Sequence, residues 1–128
     1  MLSDEQFEQL AAEALDGLPP FFLDHLSNVA VLIEKWPSRR ALREAGVPPG
    51  DTLLGLYTGI PLTERTQGYN LVAPDTITLY QGPIEHVAAR QEGDYLENVR
   101  EEVRHTIIHE IAHHFGIDDD RLIELGAY

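Results

Sequence analysis

The stretch His109-Glu110-Ile111-Ala112-His113-His114-Phe115-Gly116-Ile117-Asp118-Asp119 decides how this chain is read. It has the form H-E-x-x-H-x-x-G-x-x-D. With this composition H-E-x-x-H alone is expected about 0.03 times by chance, and requiring Gly116 and Asp119 as well lowers that to on the order of 10⁻⁴. On an α-helix His109 and His113 stand on successive turns, roughly 40° apart, so two imidazole nitrogens can reach one ion at about 2.0–2.1 Å. The apolar residues Val103, Ile107, Ile108, Ile111 and Phe115 fall on the opposite face, which predicts that the helix packs into a core from behind the histidines. Glu110 lies about 100° round from His109, beside the ligand pair and outside it, where a carboxylate can accept a proton from an activated water.

Gly116 follows the last apolar residue and suits a left-handed helix end, which turns the chain back so that Asp119 can approach the ion. A carboxylate as third ligand leaves a fourth tetrahedral position open to water, the feature that separates catalytic from structural zinc sites. Asp118, Asp119 and Asp120 form a triplet ahead of the last helical segment, however, and any of them also suits its N-cap. His105 shares the stripe of His109 but lies about 12 Å along the axis from His113, so it is expected to be a bystander to that ion. His114 falls toward the apolar side and is expected in the core. His25 and His86 have no partner at ligand spacing. Glu102 and Thr106 are candidates to orient His109 from behind. Donors able to stabilise a transition state include Arg65, Arg121, Tyr57, Tyr80 and Tyr128, among which the sequence makes no choice.

Outward from the motif, helical periodicity runs from Leu96 to Phe115 and a short helix is expected near Arg121 to Leu125. Ser3 and Gln6 are spaced as a capping box for a helix carrying Phe7, Leu10, Ala11, Ala14 and Leu15. A second short helix is expected over Phe21 to Leu26, a third from Arg39 to Ala45, and another from Ile84 to Arg90. Val29 to Ile33 is β-branched and apolar and suits a buried strand, with Leu53 to Thr58 and Thr76 to Tyr80 as further strands. The polar residues 61–70 read as a surface loop. Strands in the middle with helices at both ends predict an α+β domain over residues 1–128, a small mixed sheet flanked by helices.

Composition narrows the partners. Twenty-two acidic against nine basic residues give a formal charge of −13 in 128 residues, a surface that repels nucleic-acid phosphates and anionic lipid. No nucleic-acid or membrane partner is expected. The absence of cysteine excludes thiolate ligands, thiol nucleophiles and disulfides. The acidic start of the chain, with no apolar leader, gives the expectation of a cytoplasmic protein.

These residues resemble those of the zincin metallopeptidases. The extended motif, with Leu53-Leu54-Gly55-Leu56-Tyr57 and Gly59-Ile60-Pro61-Leu62-Thr63 ahead of it, is similar to the minimal, metzincin-like zincin family of compact bacterial proteins. The resemblance implies a zincin-type α+β fold, one Zn²⁺ bound by His109, His113 and Asp119, Glu110 as catalytic base, and a peptide or protein as substrate. The methionine-containing turn of metzincins has no counterpart, because the sole methionine is Met1. A metal-binding or protein-interaction module of the same fold without turnover is the alternative, and hydrolysis of a non-peptide amide or ester uses the same water chemistry.

Overall fold

The computed structural model describes residues 1–59 and 74–127. The expected loop over 61–70, Ile60 to Thr63 of the resemblance, and the candidate donors Arg65 and Tyr128 lie outside those residues.

The chain opens with α1 (Asp4–Asp16), whose capping box is formed: the Gln6 amide donates to the Ser3 hydroxyl and the Ser3 amide to the Gln6 side chain. There follow α2 (Pro20–His25), β1 (Val29–Glu34), α3 (Arg39–Glu44), β2 (Gly55–Thr58), β3 (Asp75–Tyr80), α4 (Gln81–Ala89), α5 (Tyr95–Phe115) and α6 (Asp119–Glu124). Helices together with a small three-stranded mixed sheet make this an α+β fold. The strand order is β1-β3-β2, with β1 parallel to β3 and β2 antiparallel to it.

One strand expectation changes. β1 is an edge strand with Leu32 51% exposed, whereas its apolar run suggested full burial. Five apolar residues in a row are expected for a strand covered on both faces, but among the described residues β1 pairs with β3 alone, and it is left partly open. β3 takes the central place instead, with Ile77 and Leu79 fully buried. It therefore offers no free edge to a ligand, and among the described residues β2 is the edge strand beside the motif.

The motif helix α5 is the spine of the molecule, packing against α1, α4 and β2. Val99, Val103, Ile107, Ile108 and Ile111 are fully buried along it and join Phe7, Phe22, Ile77, Leu79 and Ile84 in one core cluster. At the far side of α4 a buried carboxylate, Glu85, accepts from the Leu2 amide, the Gln81 side chain and the Tyr95 hydroxyl. Desolvation together with that bond to Glu85 pushes the Tyr95 phenol up to about 12. This network ties the N-terminal segment to α4 and α5, leaving the opposite, histidine-bearing face of α5 turned outward. No helix among the described residues is long and apolar enough to cross a membrane.

Candidate metal and catalytic site

His105, His109 and His113 occupy successive turns of the outward face of α5, and all three are exposed. The helix ends as its sequence dictates: Gly116 adopts φ 68°, ψ 31°, and the Ile117 amide donates to the Ala112 carbonyl. This left-handed turn feeds α6, where the Asp118 side chain accepts from the Arg121 amide at 2.8 Å. Asp118 is thus the N-cap, which resolves the acidic triplet and leaves Asp119 the first residue of α6. The Asp119 charge acts on His109 and favours its protonated form. Burial, and after it His105, act more strongly and hold the His109 imidazole below its ordinary value.

Glu110 is half-buried between α5 and β2, and its Oε1 accepts the main-chain N–H of Tyr57 at 3.0 Å. Burial raises its carboxyl above the usual range, opposed by that hydrogen bond and by His113. Two clefts meet at this carboxylate. One, of about 430 Å³, is lined by Ala45, Leu53, Leu56, Tyr57, His113 and His114; the other, of about 290 Å³, by Thr52, Leu54, Glu102, His105 and His109. Both also include Gly55.

Close approach of β2 to α5 requires that glycine. A Cβ built at Gly55 would stand 2.7 Å from Thr106 Cγ2 and 3.1 Å from the Thr78 carbonyl oxygen, with Glu110 Cγ at 3.6 Å. Gly55→Ala is therefore expected to push β2 off the helix and to destabilise the fold by about 1–3 kcal/mol in urea unfolding. Adding Thr106→Ser, which deletes the obstructing methyl, restores part of the loss. An alanine variant as stable as wild type would show that the strand does not need this contact.

Tyr57 is held on three sides. Its hydroxyl donates to Asp75 Oδ2 at 2.6 Å, its ring stacks on His114 at 3.9 Å and 19°, and its amide serves Glu110. His114 is consequently an exposed cleft residue, not the core histidine its position on the wheel suggested. Phe115, expected on the buried face, is 46% exposed and meets His25, Tyr57 and His114 edge-on. Both sit in the last turn, where the core no longer covers the helix. Two other candidate donors lie among the described residues. Tyr80 is buried, and Arg121 pairs with Glu124 and lies over the Phe21 ring. Thr106, a candidate to orient His109, instead donates its hydroxyl to the Glu102 carbonyl. The Tyr57–Glu110 contact left no trace in the sequence, because a main-chain donor has no residue signature.

The donor set suits zinc by type, with imidazoles one turn apart and a carboxylate after the glycine turn. Among the described residues no three His, Asp or Glu side chains converge on one point. His109 Nε2 instead meets His105 Nε2 at 3.1 Å, with the rings edge to face. His105, expected to be a bystander, is thus in contact with a proposed ligand.

A helix bearing H-E-x-x-H laid beside the edge of a small mixed sheet defines the class of zincin-like proteins. Residues 26–127 match the family described as zincin-like metallopeptidase, and the chain belongs to that family. Zinc is the metal the family implies in general. No curated protein sequence matches the chain. Among solved structures it is similar to a "conserved hypothetical protein" from Thermo thermophilus, with 22% identity and a TM-score of 0.49 over 91% of this chain and all of the other.

Proposed function

We propose that the protein is a zinc-dependent peptidase that holds its metal through His109, His113 and Asp119 and uses Glu110 as general base. The observation that carries this reading is the placement of Glu110, half-buried, flanked by the motif histidines and held by the edge-strand amide of Tyr57. Zinc at this site supplies Lewis-acid activation of water and of the substrate carbonyl. With Oε1 occupied by the Tyr57 amide, Glu110 Oε2 is the oxygen that takes the proton from water and delivers it to the leaving amine. Burial that raises the carboxyl brings its proton affinity closer to that of an acid–base catalyst at neutral pH. An extended peptide suits the outer edge of β2, with its side chains entering the two clefts on either side of Glu110.

A second reading, metal binding without turnover, is favoured by the contact of His109 Nε2 with His105 Nε2, which engages one of the proposed ligands outside the motif. Metal removal separates the two readings. Chelator-treated protein is expected to lose all cleavage of an unstructured peptide and to regain it with one equivalent of Zn²⁺, as followed by mass spectrometry of the products. Full zinc binding without cleavage across a broad peptide library would favour the silent module.

A further inference from the structure

The histidine ladder of α5 has three rungs, and the motif accounts for two. His105 Nε2 and His109 Nε2 are 3.1 Å apart. Two nitrogens bound to one tetrahedral ion at about 2.0–2.1 Å are separated by roughly 3.3 Å, so this pair is already close to chelating distance. The cleft on this side, about 290 Å³, has room for an ion with its waters, and Glu102, one turn before His105, lines it and acts electrostatically on His109. His109 Nε2 has a single lone pair in the ring plane and coordinates one ion at a time.

From this geometry we propose that His105 and His109 form a second chelating position for a divalent metal, overlapping the His109–His113–Asp119 position and exclusive with it. Without metal, the His105–His109 hydrogen bond requires one of the two rings to carry its proton on Nε2. Chelation by this pair needs a lone pair on both Nε2 atoms, so that proton moves to Nδ1 of its own ring and none is lost. Binding in the motif position requires His109 to leave His105, and the hydrogen bond then opposes metal entry. His105 is thus a competing ligand that lowers occupancy of the motif position. The inference rests on the proposed function for the identity of that position, and on the side-chain contact alone for the His105–His109 pair.

Calorimetric titration of the metal-depleted full chain with Zn²⁺ tests it, with ¹⁵N spectra of the imidazole nitrogens recorded at each step. His113→Ala is expected to keep measurable one-to-one binding with the His105 Nε2 resonance shifted, and the double variant His105→Ala/His113→Ala to lose that binding. His105→Ala alone is expected to bind about fivefold more tightly than wild type, the equilibrium worth of one hydrogen bond that no longer has to break. If His113→Ala binds zinc no better than the double variant, or if His105 Nε2 does not respond, the second position does not exist, while the proposed function is untouched. If zinc binding is abolished by His105→Ala and unaffected by His113→Ala, the His105–His109 chelate stands and the proposed catalytic ligand set fails.

Discussion

Replacing Glu110 with Gln is expected to lower peptide hydrolysis by about 10²–10⁴-fold, the range that a positioned general base contributes, while zinc content stays at one equivalent. Gln preserves the shape, and its Oε1 still accepts the Tyr57 amide, so β2 keeps its seat on α5. What the amide cannot do is take a proton from water. The histidines flank the substituted position and are not altered, so affinity for Zn²⁺ changes little. Initial rates on an unstructured peptide, with metal content measured on the same samples, check both halves. A variant that cleaves at the wild-type rate would remove Glu110 from the chemistry, and one that loses its zinc would make it a structural residue.

The second large effect lies behind the site. Ile108 immediately precedes His109 but, about 100° round the helix, is fully buried in the cluster that joins α5 to the rest of the core. Ile108→Ala is expected to cost about 2–5 kcal/mol, from lost burial and the cavity left behind. In a chain of this size that lowers the melting temperature by on the order of 10 °C. Saturating zinc should recover part of this, because an ion bound only by the folded state adds stability that grows with the logarithm of its free concentration over its dissociation constant. Thermal unfolding with chelator and with zinc reads both effects. A change of less than about 1 kcal/mol would mean that α5 is held by something other than its apolar face.

The helix, its buried and outward faces and its glycine stop were all legible, because each depends on local periodicity or on one residue's conformational range. Val103, Ile107, Ile108 and Ile111 are spaced for one face, and Gly116 is the residue type that a left-handed helix end favours. The capping box at Ser3 and Gln6 is local in the same way. Which strand became central was not legible. The apolar run of β1 marks it as a strand but does not order the sheet, and the less apolar β3 took the middle. The last turn of α5 misled for a related reason: His114 and Phe115 continue the buried azimuth past the point where the core ends, so the wheel assigned them an interior that is not there. The distance of His105 from His113 bars a single shared ion but does not bear on the pair that His105 makes with His109.

Anomalous scattering at the zinc edge from a crystal of the zinc-loaded protein locates the ion and each of its ligands. One main peak is expected within about 2.0–2.2 Å of His109 Nε2, His113 Nε2 and an Asp119 oxygen, with the fourth position open to solvent beside Glu110. A peak bound by other residues, or a fourth protein ligand closing the site, would contradict it.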